Sequence, residues 1–154
     1  MKIRMFQPED AVELEQLITK TLKTTNSRDY LKECIEANIV SHSAEVLVDR
    51  AKQGHMYLVC DGMRIVGCGT IAAYDGSPTE SILLTIFVLP EYQGKGIGRK
   101  IIETLEQDAY FLRAKRIEIP ASITAVEFYR KMGYDYKDGI TELDGEVYRL
   151  EKFR

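Results

Sequence analysis

Ile86-Phe87-Val88-Leu89-Pro90-Glu91-Tyr92-Gln93-Gly94-Lys95-Gly96-Ile97-Gly98 is the stretch whose reading decides the fold. Its first half closes a nearly continuous run of apolar β-formers from Ser81 to Leu89, as expected of a strand buried on both faces. Pro90 ends that strand. Gly94, Gly96 and Gly98 alternate immediately before Arg99 and Lys100, and Ile101, Ile102, Leu105, Ala109 and Leu112 then mark one face of a helix. A buried strand, a glycine turn and a helix together make a phosphate-binding arrangement. The first N–H groups of a helix have no partner inside it. They point outward together, where the helix dipole adds partial positive charge. Glycine lets the backbone approach an anion and take positive φ, and Lys95, Arg99 and Lys100 add longer-range attraction. By itself the same turn also reads as a glycine-rich start of a helix and nothing more. The P-loop pattern is absent, and the dinucleotide fingerprint does not fit Gly94-x-Gly96-x-Gly98.

Upstream, Ile3 to Phe6 is expected as a short first strand, with Pro8, Glu9 and Asp10 suited to the first turn of a helix. Leu14, Leu17, Ile18 and Leu22 follow at helical spacing. Leu31, Cys34, Ile35 and Ile39 suggest a second helix and Ala44 to Lys52 a third. Met56 to Cys60, Ile65 to Tyr74 and Ser81 to Leu89 read as an antiparallel meander, with turns at Asp61-Gly62 and Asp75-Gly76-Ser77-Pro78. Downstream, one helix is expected to run through Leu112. Arg116 to Ile119 is a strand. Thr124-Ala125-Val126-Glu127 has the form of a capping box starting a helix that Gly133 closes. Tyr134 to Tyr136 and Val147 to Lys152 are strands joined through Asp144-Gly145. The expected fold is α/β (α+β): one domain over residues 1–154, with a mixed, mostly antiparallel central sheet of six to seven strands flanked by helices.

The chain has 154 residues, 45% hydrophobic and 29% charged, with a formal net charge of -3. Its charges are interspersed, which argues against a nucleic-acid partner. No apolar run is long enough for a bilayer, and Met1 to Phe6 does not read as a signal peptide. No membrane partner is expected. Cys34, Cys60 and Cys68 lie in apolar segments and, with two histidines in the chain, form no zinc-ligand spacing. Reduced core thiols in a cytoplasmic protein, with no metal, are the expectation.

Gln93-Gly94-Lys95-Gly96-Ile97-Gly98 matches the pattern [QR]-x-x-G-x-[GA] of the GNAT acetyltransferase superfamily. Ile86 to Tyr92 resembles that family's central strand and its exit, and Ala125 to Tyr134 resembles its second cofactor segment. The resemblance therefore runs in order over most of the chain. It implies an acetyl-CoA-dependent N-acetyltransferase, with acetyl-CoA as co-substrate and an amine of a small molecule or peptide as acceptor. Backbone groups of Ile86, Phe87 and Val88 would pair with the acetyl carbonyl and pantetheine arm, since the family's central strand splays from the next parallel strand, often at a bulge. Backbone N–H groups of Gln93, Gly94, Lys95, Gly96, Ile97, Gly98 and Arg99 would hold the pyrophosphate, with the Ile97 side chain facing the core. Tyr129 matches the family's tyrosine near the cofactor sulfur. Without the resemblance, it reads as one aromatic on the buried face of a helix. Ser122 stands where the family commonly has an asparagine contacting the cofactor.

Acetyl transfer needs a neutral amine, an N–H donor for the carbonyl oxygen and a donor near the leaving sulfur. Val88 N–H and the Tyr129 phenol are the candidates for the last two roles. No acid lies within Ser81 to Ile86, and His42 and His55 read as surface or capping residues. Proton removal through water is the default. Tyr74, Thr70 and Cys68 are candidates to line the acceptor pocket. Thr21 to Gln53 and the loop near Ile140 to Gly145 are expected to set the acceptor, with Asp29, Glu33, Glu36 and Glu45 either attracting a cationic amine or forming a solvated face. A catalytically silent CoA-binding or sensing module of the same fold is the alternative. The C-terminal hairpin could pair across a homodimer, as in many relatives.

Overall fold

The computed structural model describes residues 1–154. Seven strands form one sheet: β1 (Lys2–Met5), β2 (Gly54–Asp61), β3 (Arg64–Ala73), β4 (Glu80–Val88), β5 (Arg116–Ser122), β6 (Asp135–Tyr136) and β7 (Val147–Phe153). Their order across the sheet is β1-β2-β3-β4-β5-β7-β6. Every neighbouring pair is antiparallel except β4 and β5. The helices are α1 (Ala11–Thr24), α2 (Lys32–Val40), α3 (Ala44–Gln53), α4 (Ile97–Leu105), α5 (Ala109–Leu112) and α6 (Val126–Lys131). This is the mixed, mostly antiparallel sheet flanked by helices that the apolar patterning implies. No helix is long and apolar enough to cross a membrane.

The strand buried on both faces is β3, whose residues Ile65 to Ala72 are all buried. Two of its glycines admit α4. A Cβ on Gly69 would lie 2.4 Å from Cγ2 of Ile101, and one on Gly67 would lie 3.2 Å from the side chains of Ile97 and Ile101. The apolar side chains of α4 therefore sit directly on the backbone of β3. By contrast, β4 alternates. Ser81, Leu83 and Thr85 are buried, whereas Ile82, Leu84 and Ile86 are partly exposed. Its continuous apolar run reflects a second face that lines a cavity, not full burial.

Three local expectations are corrected. The helix after the glycine turn breaks at Leu105, and Asp108 starts α5 by accepting a hydrogen bond on Oδ1 from Tyr110 N–H at 2.8 Å. An aspartate cap competes with helix continuation, and here it wins. The strand expected to stop at Ile119 continues through Pro120 to Ser122. Proline is tolerated there because β4 has already parted from β5, leaving one edge unpaired. Thr124-Ala125-Val126-Glu127 is not a capping box. The Thr124 hydroxyl donates to Asp29 at 2.8 Å, Glu127 sits 3.4 Å from Arg130, and Ala125 N–H instead reaches the Ser122 hydroxyl at 3.2 Å. Gly133, at φ +100°, closes α6 as expected.

The far half of the sheet is locked by Glu118, a fully buried carboxylate on β5. Arg116 and Lys137 approach it at 3.0 Å and Arg149 of β7 at 3.3 Å. A carboxylate without water is tolerable only with such cationic partners.

Candidate active site

β4 and β5 are hydrogen-bonded only where Glu80 to Ile82 face Arg116 to Glu118. Beyond that the two parallel strands diverge, because β4 bulges. Between the pairs Thr70–Leu84 and Cys68–Phe87, one residue of β3 opposes two of β4. Thr85 sits at the bulge with φ +54°, a costly conformation for a β-branched residue. Three contacts hold it there. Its hydroxyl accepts from Arg50 Nη1 at 2.7 Å, its carbonyl accepts from the Cys68 thiol at 3.2 Å, and its body is buried. Burial raises the Cys68 thiol to about 12, so it stays a donor.

The splay opens a cavity of about 780 Å³ between β4, β5, α1, α2 and the glycine turn. The Val88 carbonyl faces this opening, since it accepts from Gln93 Nε2 at 3.0 Å and lies 3.4 Å from the Thr21 hydroxyl. The N–H and C=O of one strand residue point the same way in an antiparallel ladder. Val88 N–H therefore also faces the opening, and alternation puts the Ile86 groups beside it. The same alternation turns the backbone of Phe87 toward β3. Phe87 meets the cavity with its ring, which stands edge-on to His42 at 5.4 Å.

At one end of the cavity the backbone N–H groups of Gly94, Lys95, Gly96, Ile97, Gly98 and Arg99 have no acceptor in the protein. Pairing resumes at Lys100 N–H, which reaches Gly96 O at 3.1 Å. Gly94 and Gly96 take φ +75° and +82° with nothing near a would-be Cβ. Here glycine is required by the turn itself. Gly98 has another reason: a Cβ there would lie 3.1 Å from the Phe128 ring of α6. Ile97 is buried under the turn, as expected. Arg99 lines the cavity and Lys95 does not, its ammonium lying over the Tyr92 ring at 5.2 Å. Gln93 N–H, expected in this fan, instead donates to Pro90 O at 3.3 Å, so Gln93 acts through its side chain, whose Nε2 bridges Val88 O and the Thr25 hydroxyl.

Tyr129 and Ser122 line the same cavity. Tyr129 is 6% exposed, and no hydrogen bond engages its hydroxyl. Burial, with Cys68 nearby, raises its phenol well above the ordinary range, so it is a proton donor. Ser122 Oγ accepts from Ala125 N–H and keeps its own proton to donate.

The other end holds two residues that sequence patterns do not single out. His42 Nδ1 lies 2.7 Å from Asn38 O. A carbonyl only accepts, so Nδ1 carries the proton and Nε2 is the free acceptor. Burial and the Arg50 charge lower its pKa, leaving the ring neutral near pH 7. Arg50 of α3 also lines the cavity. His42 lies between helices in Ser41-His42-Ser43, with no periodic signal, and Arg50 reads as a last-turn cation complementing the α3 dipole. The other sequence candidates are elsewhere. Asp29, Glu33, Glu36 and Glu45 do not line the cavity, nor do Tyr74, Thr70 and Cys68. His55 is on β2, paired with Asp108 at 2.8 Å.

A family model described as an acetyltransferase (GNAT) domain matches residues 52–136, more than half of the chain. The chain belongs to the GNAT acetyltransferase family. Among solved structures, the PaiA N-acetyltransferase of Thermoplasma acidophilum in complex with coenzyme A is similar, at 22% identity and TM-score 0.83 over 100% of both chains. An N-acetyltransferase from Rhodopseudomonas palustris is similar at 23% identity and TM-score 0.81, covering 99% of this chain and 95% of that one. An aminoglycoside 6'-N-acetyltransferase complexed with coenzyme A is similar at 16% identity and TM-score 0.73, over 99% and 97%. No curated protein matches the chain significantly in sequence. The splayed β4–β5 pair and the open fan of N–H groups thus belong to a GNAT domain whose matched segment spans the turn and α6.

Proposed function

We propose that this chain, acting as one domain, is an acetyl-CoA-dependent N-acetyltransferase for a primary amine of a small molecule or peptide, working by direct attack in a ternary complex. One observation carries the reading: a single cavity joins the unpaired N–H groups of Gly94, Gly96, Ile97, Gly98 and Arg99, a free strand edge at Ile86 and Val88, and the unengaged Tyr129 hydroxyl. The first suits a pyrophosphate, the second an extended amide-bearing arm, the third a leaving thiolate. Two of the similar structures hold coenzyme A, which supports the same ligand here.

Acetyl-CoA supplies the activated acyl group as a thioester; the protein orients it and moves protons. The amine nitrogen uses its lone pair to form the C–N bond, and the C–S bond then breaks with its electron pair going to sulfur. Val88 N–H faces the cleft and would donate to the carbonyl oxygen as negative charge develops there. Tyr129 would give its proton to the departing sulfur. His42 Nε2, the free acceptor beside Phe87, would take the amine proton directly or through one water. Exchange with solvent returns both residues to their starting states, for a net exchange of acetyl for one amine hydrogen. Ser122 and Arg99 would add contacts to the CoA arm and phosphates.

The reading is tested in two measurements on the purified chain. Calorimetric titration should show CoA binding competed by neither ATP nor NAD. Thiol release from acetyl-CoA should then depend on an added amine. CoA binding with no turnover across a broad amine panel would leave a silent CoA-binding module, and absent CoA binding would end the proposal.

A further inference from the structure

Arg50 is the one charged side chain at the acceptor end of the cavity that nothing balances. Its only hydrogen bond is from Nη1 to the neutral hydroxyl of Thr85, and it forms no ion pair. The contrast with Arg116 is direct. That buried guanidinium meets Glu80, Glu118 and Glu151, each at 3.0 or 3.1 Å. A half-buried cation without a counter-ion is costly to keep. Desolvation acts on Arg50 in that sense, opposing its charge. The nearest role available inside the protein, holding Thr85 at the bulge, needs one N–H and no charge. The remaining guanidinium donors form a planar fork suited to a carboxylate.

The rest of the cavity agrees. Its other arginine, Arg99, stands in the first turn of α4, at the glycine turn. Glu146 is its single carboxylate, exposed at the rim on the segment before β7. Arg50 meets Thr85 and lies close enough to His42 for its charge to act on that ring, and apart from Glu146 the cavity lining holds nothing acidic to take a cationic acceptor. We infer that Arg50 anchors a carboxylate of the acceptor, so that the substrate is a small amine bearing a carboxyl group, an amino acid in the broad sense. This rests on the acetyl-transfer reading for its amine but not for its carboxylate. The bulge at Thr85 and the cleft-facing groups of Val88 are three residues apart along β4, on the order of 10 Å in extended chain. An amino acid held by its carboxylate at Thr85 would direct its amine toward the Ile86 and Val88 edge, past His42.

Binding, measured apart from turnover, tests this. The CoA-saturated protein is titrated by calorimetry with glycine, β-alanine, 4-aminobutyrate, L-methionine and L-phenylalanine, each beside its primary amide. At least one acid should bind about 10- to 100-fold more tightly than its amide, the range of a charge-assisted pair. In Arg50→Gln that ratio should collapse toward one, and Arg50→Lys should keep part of it. The same preference should appear in kcat/KM wherever turnover occurs. Equal binding of acids and amides by the wild type overturns the inference, as does an acid preference that survives in Arg50→Gln. If Arg50 merely held the bulge, its loss would weaken both members of each pair alike. Selective binding of acids with no acetyl transfer would uphold the carboxylate site while ending the transferase reading.

Discussion

In the proposed reaction Tyr129 is the proton donor and His42 the acceptor, and each gives a separable outcome. Tyr129→Phe removes only the hydroxyl, which no protein group engages. CoA affinity by calorimetry should hold while kcat falls about 10²-fold, the lower range for general acid catalysis. His42 titrates below the ordinary imidazole range because burial and Arg50 disfavour its cation. Facing groups on its neighbours are Arg50, Asn38, Ser41 and the Phe87 ring, with no carboxylate among its hydrogen-bond or ring contacts. The acidic limb of the kcat/KM profile should therefore turn below about pH 6.5, and His42→Gln should flatten that limb. The sign for stability follows from the same shift. The unfolded chain takes up a proton on His42 before the folded one does, so this contribution is complete above the unfolded pKa and is lost as pH falls through the folded pKa. Tyr129 was legible in the sequence because it stands in a segment of recognisable pattern. His42 was not, because nothing in Ser41-His42-Ser43 distinguishes a cavity wall from a surface turn.

At the scale of elements, the site depends on a turn and a bulge that use opposite means to reach left-handed backbone. Gly96 reaches φ +82° at no steric cost, and open space surrounds its missing Cβ. Gly96→Ala would meet no clash, so its penalty is conformational, about 1–2 kcal/mol. Thermal midpoint should drop by roughly 2–8 °C for a chain of this size. CoA affinity should fall further than that stability loss requires, because the N–H fan is re-aimed; calorimetry beside a melting curve separates the two. Thr85 is forced to φ +54° by its contacts. No periodicity marks that bulge, since the sequence from Ser81 to Leu89 is uniformly β-forming. The break at Leu105 was missed for a related reason: the apolar face continues past it, while the Asp108 cap acts locally.

For the whole molecule, the cavity is a junction of chain segments far apart in sequence, and Tyr30 is one of its fasteners. Its hydroxyl donates to Glu146 O at 2.6 Å and accepts from Ile123 N–H at 2.8 Å, tying the segment between α1 and α2 to the turn before α6 and the segment before β7. Tyr30→Phe strands both partners. A cost of about 1 kcal/mol per lost bond should lower the melting temperature by a few degrees. The added stabilisation from saturating CoA should also shrink, because the walls it binds are less ordered in the variant.

The sequence alone determined the sheet, the helices and the phosphate turn, since each is written in local terms: alternation or apolar runs for strands, helical spacing for helices, glycine where φ must be positive. It also carried the family, because the turn, the strand before it and the Tyr129 segment keep their order along the chain. Only the tertiary structure decided that β4 and β5 part after three residues, that Phe87 offers its ring and not its backbone, and that His42 and Arg50 line the cavity. The physical reason is that these depend on which elements pack against which. A cation reads the same in sequence whether or not a carboxylate waits across the fold; Arg116 finds three and Arg50 finds none.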